Sequence, residues 1–237
     1  MKRYLIFVTL SVLACSTFAM GQGLSVKSAE LGLSVGYTGF SSKSFTIGPP
    51  QSSVPINGKM ELLSGTMYEA RVNFYTSNRI GSEITYGYQY SGVRLSRETP
   101  TVSSFDSPLQ IHTLTLNLLY YPLGETASAW RPFVSVGGGA VIYRPSAGGQ
   151  ASAKDPLQGN FDTFFESSRG SGTVGGGVKH PITKTLGFRA DGGVVFTKVP
   201  TFGLPESSAQ ANATVLPVGG LVHSVRGSAG LIIYLGK

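Results

Sequence analysis

Hydrophobic residues recur at every second position in eight stretches of the chain, and this pattern limits the possible folds more than any other feature. In the first stretch Leu31, Leu33, Val35 and Tyr37 alternate with small or polar residues. Alternation of this kind is typical of a β-strand with one apolar and one polar face. The strands are predicted over 29–40, 67–75, 83–91, 111–121, 133–143, 172–180, 186–196 and 225–235. Their length, about nine to thirteen residues, matches a tilted membrane-spanning strand and exceeds the usual strand of a soluble protein.

The connections between these strands alternate between long and short. Four are long, at 41–66, 96–110, 144–171 and 197–224, and three are shorter, at 76–79, 122–132 and 181–185. Outer-membrane barrels have short periplasmic turns and longer outer loops. We therefore predict an all-β chain that forms an eight-stranded antiparallel up-and-down transmembrane β-barrel with both termini in the periplasm. The long connections are rich in Ser, Pro, Gly and Ala, so we expect mobile loops rather than a second domain.

The first residues have the pattern of an export signal. Lys2 and Arg3 precede an apolar run over 4–14, which is followed by small residues up to Ala19. This run is too short to cross a bilayer as a helix. We predict a signal peptide over 1–19 and the barrel domain over 20–237. In an alternative interpretation, Cys15 is the lipidated residue of a lipoprotein.

The composition excludes several classes of function. The chain has a single cysteine and three histidines, which excludes a disulfide framework and the cysteine-based metal sites. Its formal charge of +7 is spread singly along the sequence, so we expect no nucleic-acid partner. None of the three histidines has a serine two positions away, as a nucleophile and base on one strand face would require. We therefore predict no catalytic residue, no metal and no cofactor.

The polar strand faces carry four acidic and four basic residues that would point into the barrel. Charges enclosed at low dielectric must pair, because an isolated buried ion costs several kcal/mol. Eight strands enclose a lumen only wide enough for side chains to fill, so we expect salt bridges and no conducting pore. The predicted charge network consists of Glu30, Glu69, Arg71, Glu83, Lys179, Arg189, Asp191 and Arg226.

Two finer predictions concern the geometry. A turn centred on Thr183 would set Gly177 opposite Arg189 and Gly175 opposite Asp191. Aromatic residues should form two girdles where hydrocarbon meets the headgroups. The outer girdle would hold Tyr37, Phe40, Tyr88, Tyr90, Tyr143 and Phe196, and the inner girdle Phe74, Tyr75, Tyr120, Tyr121, Trp130, Phe133, Phe188 and Tyr234.

Three glycine-rich segments resemble a known family. Residues 175–179 and 186–191 are similar to the last-but-one hairpin of small outer-membrane β-barrel proteins, the group that includes the barrel of outer-membrane protein A, and 132–139 resembles their fifth strand. The resemblance implies a Gram-negative outer-membrane location and offers no known catalytic residue. It also implies outer-membrane lipid, lipopolysaccharide and the barrel-insertion machinery as partners of a monomer. The chain departs from the family in ending on Tyr-Leu-Gly-Lys rather than on an aromatic residue.

Three hypotheses about function follow from the sequence. The first, which we favour, is a structural or surface-interaction barrel whose interior is closed by salt bridges. The second is a lipid-modifying enzyme of the outer leaflet on the same barrel. The third is a soluble periplasmic β-barrel, similar to a lipocalin, with its apolar face turned inward.

Overall fold

The computed structural model describes residues 28–98, 103–124, 130–155, 161 and 163–235. Over these residues the chain forms ten strands and one helix. They are β1 (Ser28–Phe40), β2 (Lys43–Ile47), β3 (Ile56–Leu62), β4 (Gly65–Tyr75), β5 (Ile80–Arg97), β6 (Ser103–Tyr120), β7 (Arg131–Pro145), α1 (Ala147–Lys154), β8 (Ser167–Pro181), β9 (Leu186–Lys198) and β10 (Leu221–Leu235). The predicted signal peptide, Cys15 and the last two residues lie outside the described residues.

Eight of the strands close into an antiparallel barrel. Around the wall the order is β4, β1, β10, β9, β8, β7, β6 and β5, and β5 pairs with β4 to complete the ring. The predicted eight-stranded up-and-down barrel is therefore confirmed. The remaining two strands form a hairpin in which β3 extends the sheet beside the outer part of β5.

The apolar strand faces point away from the barrel axis, as predicted. Leu33 is 71% exposed and Val136 is 58% exposed, whereas Glu30 and Glu83 on the opposite faces are buried. Only hydrocarbon can cover such a belt favourably, so the barrel spans a membrane and the soluble alternative with an inward apolar face is wrong. Among the described residues, no helix is long and apolar enough to cross a membrane, a test that does not address strands.

One predicted connection is mostly strand. Both β5 and β6 run for 18 residues, so the expected loop over 96–110 begins only after Arg97. The inward side of this hairpin continues the apolar alternation with Val93, Leu95, Phe105 and Leu109, all buried. These residues pack beneath the outer loops, which is why the strands continue beyond the membrane belt.

The described parts of the long connections pack against one another. Phe164 and Phe202 are fully buried and stack with their ring centroids 4.6 Å apart. They belong to an apolar cluster, here called the outer cap, that fills the barrel mouth at the long-loop end. Its buried members are Met60, Leu62, Val93, Leu95, Phe105, Leu109, Ile111, Val141, Tyr143, Ala153, Phe164, Val195, Val199, Phe202, Leu204, Leu216, Val218 and Val222.

The register of the β8–β9 hairpin differs from the prediction by two residues. Lys179 lies opposite Arg189, and Gly177 lies opposite Asp191 rather than Arg189. The reason is that Thr183 starts the turn instead of centring it, because its hydroxyl accepts hydrogen bonds from the backbone N–H groups of Thr185 and Leu186. A Cβ on Gly177 would lie 2.6 Å from the Cβ of Asp191, so the glycine gives this carboxylate its room.

Several predicted girdle aromatics point inward. Tyr75, Tyr121 and Phe133 are buried at the short-turn end of the lumen, and Tyr143 is buried in the outer cap, against which Phe40 also packs. Where two aromatics are adjacent, as in Tyr120–Tyr121, the alternation of a strand turns only one of them outward. Exposed members of the predicted girdles are Tyr37, Tyr90, Tyr120, Trp130 and Phe196.

Candidate functional site: the charged barrel interior

The eight residues of the predicted charge network all point into the lumen. They come from six of the eight barrel strands, and each occupies the strand face opposite the apolar belt. Six are buried, while the side chains of Asp191 and Arg226 retain 11% and 15% of their accessible surface. Strand alternation alone therefore brings four acids and four bases into one narrow space.

Arg189 on β9 joins the two sides of the barrel. Its guanidinium contacts both carboxylate oxygens of Glu83 on β5, with Nη2 lying 3.2 Å from Oε1. Its Nε donates to Oδ1 of Asp191 at 2.9 Å. Three strands separate β5 from β9 in either direction around the ring, so the Glu83–Arg189 bridge crosses the lumen between opposite walls.

Arg71 on β4 continues this arrangement. Its Nη2 donates to Oδ2 of Asp191 at 3.0 Å and contacts Glu69. Arg226 on β10 reaches the other oxygen of Glu69 at 3.3 Å. Acids and bases thus alternate along a chain of six charges that sums to zero, which is what a low-dielectric lumen requires.

The remaining pair, Lys179 and Glu30, lies nearer the short-turn end. Lys179 Nζ contacts Glu30 Oε2 and lies 3.0 Å from the hydroxyl of Tyr75. The Tyr75 hydroxyl donates to Glu30 Oε1 at 2.7 Å, and the Asn73 amide donates to Glu30 Oε2 at 3.2 Å. Neutral groups therefore occupy the lone pairs that one ammonium group cannot satisfy.

Aromatic rings contact two cations at the short-turn end of the lumen, Arg131 on β7 and Arg189 on β9. The Arg131 guanidinium lies 4.0 Å from the ring centroid of Tyr121 and 4.6 Å from that of Tyr75. The Arg189 guanidinium lies 4.6 Å from the centroid of Phe133. Cation–π contacts of this length are stabilising.

Sequence reasoning missed the neutral and aromatic members of the interior. Asn73 and Tyr75 share the face of β4 that carries Glu69 and Arg71, so alternation could have identified them. Tyr121 follows Asn117 by four positions, so strand alternation places both side chains on the same inward face. The signal was overlooked because an aromatic residue near a barrel rim was assigned to a girdle.

Uncharged polar side chains of β6 and β8 line the lumen beside the charges, with Asn117 directly opposite Glu83 in the strand pairing. Thr173 donates to the Asn117 side-chain oxygen at 2.7 Å, and the Asn117 amide donates to Thr115 at 3.2 Å. The lumen is therefore filled by ionic, aromatic, hydroxyl and amide side chains together, and the apolar outer cap closes its long-loop end.

The charged interior pairs its acids with its bases. Within the described ranges, no group of three or more His, Cys, Asp or Glu side chains is arranged to hold a metal ion. His112 and His180 lie on the outer wall, where His112 Nδ1 is 2.8 Å from the Tyr86 hydroxyl and His180 stacks on Trp130.

The sequence matches no protein-family model, and no curated protein matches it significantly. Solved structures do match. The outer membrane protein OprG from Pseudomonas aeruginosa is 14% identical, with a TM-score of 0.55 over 91% of this chain and 99% of that one. Neisserial surface protein A (12% identity, TM-score 0.49, 86% and 96% coverage) and outer membrane protein AlkL (12%, 0.49, 91% and 93%) also match. The predicted fold agrees with that of OprG, and the chain has the fold of the small bacterial outer-membrane β-barrels.

Proposed function

We propose that the protein is a non-conducting outer-membrane barrel that acts as a structural or surface-interaction protein and not as an enzyme. The observation that carries this proposal is the Glu83–Arg189 bridge between opposite walls, held within a neutral chain of six charges. Both partners are buried, so separating them would leave two unpaired charges at low dielectric, which is strongly unfavourable. The outer cap is a second barrier on the same path.

The outer surface supports a role in the membrane and at the cell surface. Above the apolar belt, Arg144 and Arg94 are exposed at the long-loop end, where bacterial barrels meet the outer leaflet. Each of these arginines is paired with an acid, Arg94 with Asp106 and Arg144 with Glu166, so this rim presents exposed polar ion pairs at the level of the headgroups. We propose that outer-membrane lipid and lipopolysaccharide surround a monomer, that the barrel-insertion machinery assembles it, and that the packed loops carry any binding specificity.

Conductance in planar lipid bilayers tests the closed interior. The wild-type chain should insert without discrete current steps, whereas E83A/R189A, made in a chain whose outer cap is also opened by F202A, should conduct because both barriers on the path are then removed. The matched control is R94A/D106A, which removes an exposed ion pair on the outer hairpin and should stay silent. Current steps in the wild type as large as those of E83A/R189A/F202A would refute the proposal.

A further inference from the structure

A cavity of about 320 Å³ lies in the packed loops at the long-loop end. It is a half-open cleft between the inner face of the outer sheet, built by β2, β3, β5 and β6, and the segment 212–216. Its volume is at the small end of the ~300–1,000 Å³ range of ligand sites. The apolar part of its wall comprises Phe45, Ile47, Ile56, Leu95, Phe105 and Phe161.

The cavity is separated from the barrel lumen. Leu95 lines it, but Val93 and Leu109, nearer the membrane on the same hairpin, are fully buried in the outer cap. Leu216 closes the cap from the opposite side. A molecule in the cavity would therefore remain at the outer surface, so this inference goes beyond the proposed closed barrel.

Arg97 brings a positive charge to the rim of the cavity. Among the described residues, no carboxylate forms an ion pair with it. Arg94, three residues earlier, differs because its guanidinium donates to both oxygens of Asp106 at 2.8 and 2.7 Å. These hydrogen bonds hold the pKa of Asp106 below its ordinary value. Two arginines on one strand thus differ in whether an acid already neutralises them.

The aromatic wall favours a flat apolar body. Phe105 meets Phe161 edge-on, with ring centroids 5.8 Å apart. Rings arranged in this way accept a further ring in an offset or edge-on position. A carboxylate on that body could then receive two parallel hydrogen bonds from a guanidinium.

We propose that this cavity binds a small amphipathic monoanion, with an aromatic or short acyl body against the phenylalanines and its carboxylate at Arg97. Neither the lumen charges nor the apolar belt takes part. The ligand class follows from two features together: an apolar wall of limited size and one basic group at its rim that has no acidic partner in the described part of the chain.

Calorimetric titration of the full chain in lipid nanodiscs tests the proposal. The probe is 2-naphthoate, with its neutral amide, 2-naphthamide, as the comparison and empty nanodiscs as the blank. We expect saturable binding of the carboxylate to the protein-loaded discs and binding of the amide about five- to tenfold weaker, since a charge-assisted hydrogen bond is lost.

Three variants locate the site. R97Q should weaken binding of the carboxylate about five- to tenfold and leave the amide unchanged, whereas R94Q, on the same strand but paired to Asp106, should bind like the wild type. I47W should abolish binding of both probes by filling the cavity, and S103W takes its place if I47W does not fold, as judged by heat-dependent gel migration. Absence of saturable binding, equal affinities of R97Q and wild type for the carboxylate, or binding that survives cavity filling would each overturn the proposal.

Discussion

At the scale of single residues, we expect a substitution that removes one charge of a buried pair to destabilise the protein more than a double substitution that removes both charges. Glu83→Gln removes one of the two carboxylates that neutralise the Arg189 guanidinium. We expect this substitution to lower the free energy of unfolding by about 3 kcal/mol. E83L/R189M, which removes both charges and keeps the volume, should cost less than E83Q. Urea unfolding in phospholipid vesicles, followed by the fluorescence of the single tryptophan, Trp130, measures both. A double variant less stable than E83Q would contradict this account.

Sequence reasoning at this scale identified which charges face the lumen but not which acid meets which base. Strand alternation fixes the face, so Glu30 and Arg226 were assigned from the sequence. The partners depend on the stagger between strands that are not neighbours, as in the contact of β5 with β9, and no local pattern encodes that stagger. Arg131 was missed because the rings that hold it, Tyr75 and Tyr121, had been assigned to the lipid side.

At the scale of elements, the connection between β9 and β10 behaves as part of the packed structure. Phe202→Ala should remove a fully buried ring from the outer cap, at a cost of about 3–5 kcal/mol if the site does not collapse. We expect faster protease cleavage within 205–211, while the barrel strands stay resistant. Phe165→Ala, which truncates an exposed neighbour, is the control. Equal cleavage rates for F202A, F165A and wild type would show that the ring does not hold the loop.

The strands were predictable from the sequence where hydrophobic residues alternate regularly. The packing of the loops was not predictable, because the loops have no such hydrophobic period. The belt strands follow strict alternation over a full membrane span, and all eight were located. Residues such as Phe164, Phe202 and Leu216 lie in segments without a regular hydrophobic period, so nothing in the sequence indicated that they meet. The outer part of the β5–β6 hairpin did alternate, at Val93, Leu95, Phe105 and Leu109, but its polar composition was taken as the mark of a loop.

At the scale of the whole molecule, closure of the wall should govern how the protein responds to detergent. Each barrel strand pairs on both sides, so the backbone hydrogen bonds resist dodecyl sulfate until the sample is boiled. We expect unboiled protein from the membrane fraction to migrate differently from boiled protein, and high salt without detergent to release none of it. Identical migration with and without boiling, or release by salt, would contradict a membrane-spanning barrel.

The pairing of β1 with β10 determines when the barrel wall can close. Ala29 lies opposite Leu235, so the first and last described strands form the seam of the wall. Any fragment that ends before β10 leaves the outward edges of β1 and β9 without hydrogen-bond partners, and hydrocarbon supplies none. Insertion into the bilayer therefore requires the whole set of barrel strands. A chain that ends before β10 cannot close its wall, however many of the earlier strands it contains.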